Sequence, residues 1–273
     1  MSLAGKTILV TGATDGLGKL TAAMLAKGGA RVLLHGRDLA KGEKVLAEIR
    51  AAGGDVAFYK ADLASLAEVR DLAKAVQARH ARLDVLVNNA GVGLFGGGAR
   101  QESGDGQELH FQVNYLAPFL LTHLLLPTLK ASAPSRIVNV SSIGQAPIDF
   151  DDVMLERSYT GMQGYCQSKL AQIMFTIDLA EKLKGSGVTV TSLHPGTFMD
   201  TNMVLGAGMK PQTPVQDGAD AVFRLAAAPD VEGETGVFYN QQTLGRANDQ
   251  AYDAAARKRL WDLSLKLAGL PAD

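Results

Sequence analysis

Short apolar runs alternate along this chain with longer stretches in which apolar residues recur every three or four positions. Thr7 to Val10 is one such run. It stops at Thr11-Gly12 and is followed by a periodic stretch from Gly16 to Lys27, so it reads as a strand feeding a helix. The same logic predicts strands at Arg31 to His35, Val56 to Tyr59, Leu83 to Val87, Arg136 to Val140 and Val188 to Leu193. Helices are predicted over Leu39 to Ala52, Leu66 to Ala78, Leu109 to Leu129 and Tyr165 to Leu183. Strand–helix alternation of this kind implies an α/β fold, with a parallel sheet covered by helices on both faces.

No Pro/Gly/Ser linker, charge block or internal repeat divides the chain, so residues 1–273 are expected to form a single domain. Gly91 to Gly106 is glycine-dense but short, and reads as a loop. A second loop-rich region spans Phe198 to Pro214, and a helical tail ends at Leu267.

Composition narrows the function classes. A net charge of −1 gives no electrostatic reason to expect nucleic acid or an anionic membrane as partner. The one cysteine, Cys166, cannot form an internal disulfide, which fits a reducing, cytoplasmic setting. The opening residues Met1 to Lys6 do not form a signal peptide, and the apolar stretch Leu116 to Leu126, with Pro118 and His123, is too short to span a bilayer. No membrane anchor is expected. His35, His80, His110, His123 and His194 show no ligand spacing with each other or with Cys166, so no metal is expected either.

The first strand meets its helix through Thr11-Gly12-Ala13-Thr14-Asp15-Gly16-Leu17-Gly18. Glycines here let the backbone approach a pyrophosphate, and the helix start supplies free N–H groups and partial positive charge. Ordinary turn glycines are the alternative. At the end of the second strand, where an NAD-preferring protein places a carboxylate for the ribose, this chain has His35-Gly36-Arg37. A guanidinium there can bind a 2′-phosphate bidentately, which favours NADP(H) over NAD(H). The competing reading is a solvated Arg37 at a helix start, and Asp15 is an unhelpful neighbour for that phosphate.

Tyr165 and Lys169 stand one helical turn apart, so their side chains leave one face. A close ammonium is expected to favour the phenolate and so make the phenol a usable acid/base. A lone Tyr-x-x-x-Lys is a common accident of helical surfaces, and this one gains meaning from its company. With the glycine turn, Asp62-Leu63, Asn88-Asn89-Ala90-Gly91, Asn114, Ser141-Ser142 and Pro195-Gly196, it resembles the short-chain dehydrogenase/reductase family from Lys6 to about Thr201.

The resemblance implies a Rossmann-type doubly wound sheet and a set of roles. Asn114, Ser142, Tyr165 and Lys169 would form the catalytic tetrad, with Ser142 favoured over Ser141. Tyr165 would be the acid/base, and Ser142 would hold the substrate oxygen. Lys169 would hold the nicotinamide ribose, and Asn114 would fix a water linking Lys169 to solvent. Gly12, Thr14, Asp15, Gly16, Leu17, Gly18, Arg37, Asp62, Leu63, Asn88, Ala90 and Gly91 would line the phosphates and adenosine, the segment of Asn88, Ala90 and Gly91 also stabilising the central sheet. Pro195, Gly196, Thr197 and Thr201 would hold the carboxamide. The expected activity interconverts an alcohol and a carbonyl on a small or lipophilic molecule. A non-catalytic dinucleotide sensor and a reductase of ring double bonds are weaker readings, since the tetrad is complete and Cys166 stands alone.

Gly36-Arg37-Asp38 with Lys41-Gly42-Glu43, the run Asn114 to Leu126, Tyr165-Cys166-x-Ser168-Lys169-Leu170-Ala171 and the tail Arg259 to Pro271 resemble the retinol dehydrogenase branch in particular. The membrane-anchoring N-terminal segment of many retinol dehydrogenases is not expected here, and their histidine-containing stretch is replaced by Ile143-Gly144-Gln145-Ala146-Pro147. Phe95, Ile148, Phe150, Met154, Phe198, Met199, Met203 and Met209 are candidates for an apolar pocket wall, with plain packing the alternative for most. A homo-oligomer, dimer or tetramer, is implied through the two long helices. Leu116, Leu120, Leu124, Leu125, Ile173 and Phe175 are candidates for that face or for internal core.

Overall fold

The structure is a computed structural model that describes residues 2–93 and 98–272. Eight strands form one sheet in the order β3-β2-β1-β4-β5-β6-β7-β8. They are β1 (Thr7–Val10), β2 (Arg31–Gly36), β3 (Asp55–Lys60), β4 (Val85–Asn88), β5 (Ser135–Val140), β6 (Val188–His194), β7 (Val237–Asn240) and β8 (Thr243–Leu244). All pairings are parallel except β7 with β8. The helices are α1 (Gly16–Lys27), α2 (Leu39–Ala51), α3 (Leu66–Arg79), α4 (Ala117–Ala131), α5 (Gly161–Lys182), α6 (Asn202–Gly206), α7 (Val215–Ala227) and α8 (Ala254–Leu267).

The strands place apolar residues on both faces of the sheet because both faces are covered. Successive strand residues point to opposite faces. Accordingly Leu9, Leu33, Leu86, Ile137 and Val190 join a core built with α3, α4, α5 and α8. Ile8, Val10, Val32, Leu34, Val85, Val87 and Val138 join the other core, with α1, α2 and α7. Side-chain caps fix where several helices begin: Asp15 for α1, Asp38 for α2, Ser65 for α3, Thr160 for α5 and Asp253 for α8.

Two features differ from the sequence reading, and a third decides between alternatives that it left open. The helix expected from Leu109 does start there, but it carries a π-helical segment, Phe111–Leu116, before α4. The chain after residue 214 contributes α7 and two further strands, β7 beside β6 and β8 at the sheet edge, none of which was predicted. The third concerns the expected pairing face. Leu116, Leu120, Leu125, Ile173 and Phe175 are buried within this chain, and Leu124 packs against the same core. Helix α8 lays Trp261 on this region, with ring centroids 5.3 Å from Phe119, 5.2 Å from His123 and 6.0 Å from Phe175. Those residues are therefore internal packing.

Strand order turns back between β1 and β4, each successive strand before that point being added on one side and each after it on the other. A sheet of this kind opens a crevice beyond the carboxyl ends of its strands at that switch point. Among the described residues, no helix is long and apolar enough to cross a membrane.

Candidate active site

A cleft of about 750 Å³ lies at that switch point. The glycine turn forms its floor. Gly12 has a φ of +65°, and a Cβ there would lie 2.8 Å from the Ala90 Cα. A Cβ on Gly18 would sit 2.2 Å from the Gly12 carbonyl oxygen, so only glycine lets α1 start this close to the turn. Asn89, which the sequence reading gave no role, ties the turn down: its Nδ2 donates to the Thr11 carbonyl at 2.8 Å and its N–H to Thr11 Oγ1 at 2.9 Å. Asp15 caps α1 by accepting from the Gly16 N–H, and its other oxygen accepts from Asn202 Nδ2 at 2.5 Å.

At one end of the cleft stand exposed Arg37 and Lys41, the latter on the first turn of α2. Lys41 was named in the sequence only as part of a motif. Its Nζ is 4.0 Å from Asp15 Oδ2 and offsets that carboxylate. Asp62 and Leu63 form the adjoining wall, where Asp62 Oδ1 accepts from the Ala64 N–H at 3.0 Å.

Ser142, Tyr165 and Lys169 meet at the other end, supplied by the loop after β5 and by the first turns of α5. Tyr165 is hydrogen-bonded to Ser142, whose Oγ also accepts from the Gly144 N–H at 3.0 Å. Ser141 is turned the other way and donates to the Lys169 carbonyl at 2.6 Å, so the second serine is the one facing the phenol. Lys169 Nζ donates to the Val140 carbonyl at 2.9 Å and to Gln172 Oε1 at 3.1 Å, and lies 5.7 Å from the Tyr165 ring centroid. The electrostatics differ from the simple expectation of a phenol lowered by its lysine. Burial pushes the Tyr165 phenol up to about 12, opposed by the Ser142 bond, and pushes the Lys169 ammonium down to about 7. Desolvation disfavours the charged form of each.

Asn114 and Asn88 sit behind the cleft and do not line it. Asn114, in the π-helical segment, accepts from the Val92 N–H at 2.7 Å and donates from Nδ2 to the Val92 carbonyl and to Ser168 Oγ. Gly91 separates it from Lys169: a Cβ there would be 3.1 Å from Asn114 Oδ1 and 3.5 Å from Lys169 Nζ. Asn88 is buried within the sheet, donating to Thr122 Oγ1 and Asn139 Oδ1. These bonds fit the sheet-stabilising part of the role expected for this segment, and the Asn88 side chain does not reach the cleft.

The remaining expected contacts, Gly12, Thr14, Asp15, Gly16, Leu17, Gly18, Ala90, Gly91, Pro195, Gly196, Thr197 and Thr201, all line the cleft. His194 joins them, bonded through Nε2 to Thr197 Oγ1 at 3.1 Å. Of the candidate apolar wall, Phe198, Met199 and Met203 reach the cleft, and Ile143 and Met162 add to its rim. Ile148, Phe150 and Met154 pack into the core region instead, Met209 is not part of the wall, and Phe95 lies outside the described residues. No cluster of side chains suited to hold a metal occurs among the described residues.

Fold and site together define a dinucleotide-binding oxidoreductase of the doubly wound class. Residues 6–211 match the short chain dehydrogenase family model, and the chain belongs to that family. It is 42% identical to human retinol dehydrogenase 11, covering all of this chain and 89% of that protein. Human retinol dehydrogenase 14 is 39% identical over 97% of this chain and 87% of its own length. Among solved structures, an uncharacterized protein from Mycobacterium paratuberculosis superposes with a TM-score of 0.79 at 31% identity, covering 99% of this chain and 97% of that one. A metagenomic short-chain oxidoreductase in complex with NADP superposes with a TM-score of 0.70 at 32% identity, covering 88% and 98%.

Proposed function

We propose that this protein interconverts an alcohol and a carbonyl on a lipophilic molecule, using NADP(H), with Tyr165 as the acid/base. The observation that carries the reading is the hydrogen-bonded Ser142–Tyr165 pair at the closed end of a cleft whose other end is a glycine turn flanked by Arg37 and Lys41.

The residues present fit a dinucleotide. Glycine at positions 12 and 18 lets the turn pack on Asn89 and Ala90 and sets the start of α1 at the cleft, where its N–H groups would face a pyrophosphate. Arg37 and Lys41 would hold a 2′-phosphate, Asp62 and Leu63 the adenine, and Lys169 the nicotinamide ribose. Pro195, Gly196, Thr197 and Thr201 would hold the carboxamide. When bound, NADP(H) supplies or accepts a hydride. Ser142 orients the substrate oxygen and donates to it. Tyr165, kept protonated by burial, gives its phenol proton to that oxygen in reduction and takes one in oxidation. Lys169 stabilises the phenolate so formed, and the attraction between the two would restore its ammonium. Asn114 holds the π-helical segment and Val92 behind Lys169.

The apolar rim of Ile143, Met162, Phe198 and Met203 supports a lipophilic substrate, and the names of the retinol dehydrogenase relatives point the same way. A cytoplasmic location belongs to the same reading. The test is NADPH and NADH titration followed by a screen of aliphatic aldehydes, ketones and retinal for loss of reduced-nicotinamide absorbance. Turnover with NADPH on apolar carbonyls is expected. Dinucleotide binding without turnover on any carbonyl would overturn the assigned activity.

A further inference from the structure

His35 closes β2 and is 2% exposed. Its ring reaches across both neighbouring strands. Nδ1 accepts from the Gly12 N–H at 3.3 Å, and Nε2 bonds the Ala61 carbonyl at 3.1 Å. Gly12 N–H can only donate and the Ala61 carbonyl can only accept, so one state satisfies both: a neutral ring with its proton on Nε2. The backbone reinforces the link, with the Ala13 N–H donating to the His35 carbonyl at 2.8 Å and the Ala61 N–H to the Gly36 carbonyl at 3.2 Å.

The position of this bridge matters. The β1–β2 register ends at Val10 and Leu34, so the imidazole extends the ladder to where the chain leaves the sheet at Gly12. The turn also presses directly on the end of β2: a Cβ on Gly36 would lie 2.5 Å from Thr14 Cγ2. On the far side, Ala61 immediately precedes Asp62 and Leu63. Burying an imidazole costs more than burying a phenyl ring of similar size unless its two nitrogens are bonded. Both are, and each bond ends on a different wall of the cleft.

We propose that His35 is a positioning residue for the dinucleotide, its Nε2-protonated ring holding the Gly12 turn at a fixed spacing from the Ala61–Asp62 wall. The inference rests on the dinucleotide reading above. His35 acts through Gly12 and Ala61 and touches no reacting atom. It sets how well the pyrophosphate and adenine subsites match one molecule, and so governs affinity and leaves the chemical step alone.

The experiment is calorimetric titration of the wild type, His35→Phe and His35→Asn with NADPH and, separately, NADH. Phenylalanine fills the space without the bonds, whereas the asparagine amide oxygen can accept near the Nδ1 position. His35→Phe is expected to weaken both dinucleotides about tenfold, the equivalent of roughly one lost hydrogen bond. His35→Asn is expected to recover most of that loss. With a turned-over carbonyl, KM for NADPH should rise while kcat at saturation stays within about twofold. A nitrogen-15 spectrum of the wild type should show neutral His35 with its proton on Nε2. His35→Phe binding both dinucleotides like the wild type, His35→Asn binding no better than His35→Phe, or a proton found on Nδ1 would each overturn the proposal. A wild type that prefers NADH would overturn the 2′-phosphate reading while leaving the His35 comparison intact. A wild type that binds neither would overturn both.

Discussion

The imidazole of His110 stands edge-on to the ring of Tyr165, with centroids 6.4 Å apart and planes at 86°. The contact is fixed from behind: His110 Nδ1 bonds Glu108 Oε1 at 2.7 Å, and Glu108 Oε2 accepts from the Phe111 N–H at 2.7 Å. Neither side chain is exposed. Gly164 lets α5 settle on this pair, since a Cβ there would lie 2.9 Å from His110 Nδ1 and 3.1 Å from Glu108 Oε1.

Gly164→Ala should therefore displace α5 one residue before Tyr165. The expected result is a loss of about 1–3 kcal/mol in denaturant unfolding, the usual range for overpacking, with a fall in kcat that exceeds any rise in KM. Wild-type stability and kcat together would show that the contact relaxes without consequence.

Arg37→Asp puts a carboxylate at the end of β2. NADPH should bind about 10- to 100-fold more weakly, as expected for loss of a charge-assisted contact, while NADH binding holds or improves. Direct titration checks this. Equal losses for the two dinucleotides would place Arg37 away from the 2′-phosphate.

Trp261→Ala removes the ring that α8 lays on Phe119, His123 and Phe175. Truncating an aromatic ring at a buried position destabilises by about 3–5 kcal/mol. A denaturant midpoint close to that of the wild type would mean that α8 contributes little to the core.

Burial pushes His35 down from the ordinary 6.5 to about 4, although Asp62 and Glu68 face it and pull the other way. The unfolded chain takes up this proton near pH 6.5 and the native chain only near 4. Stability is thus whole above about pH 6.5 and declines as pH falls toward 4, by on the order of 3 kcal/mol for this residue. His194, also pushed down to about 4 by burial, contributes in the same direction. The unfolding free energy, followed across this window, should fall less steeply in His35→Phe than in the wild type. Identical slopes would contradict the buried, neutral state.

Much of this was legible in the sequence because the signals were local and repeated. Six strands announced themselves as apolar runs, since both faces of the sheet are covered and no polar alternation was needed. Thr243–Leu244 was not legible, since two residues carry no period, and Val237–Asn240, though as long as β1, was not read as a strand. Helix α7 passed unread among loop residues. Tyr165 and Lys169 could be placed together because spacing along one helix fixes direction, and the glycine turn by its place between a strand and a helix, whereas Ser142 rested on the family resemblance. The resemblance implied a sheet-stabilising role for the segment of Asn88, but its partners Thr122 and Asn139, distant in sequence, could not be named from it. The same holds for His35, whose partners Gly12 and Ala61 lie on other strands. The balance of charge at Tyr165 and Lys169 depends on how completely the folded chain buries both, which helical spacing does not reveal.

The central claim is that Tyr165 moves the proton in an NADP(H)-dependent reaction. It is tested most directly by comparing Tyr165→Phe with the wild type for NADPH binding and for NADPH oxidation on an apolar aldehyde. Wild-type affinity with turnover lowered about 10²- to 10⁴-fold, the usual contribution of a positioned acid/base, is the expected result. Turnover in Tyr165→Phe within tenfold of the wild type, at unchanged affinity, would contradict the claim.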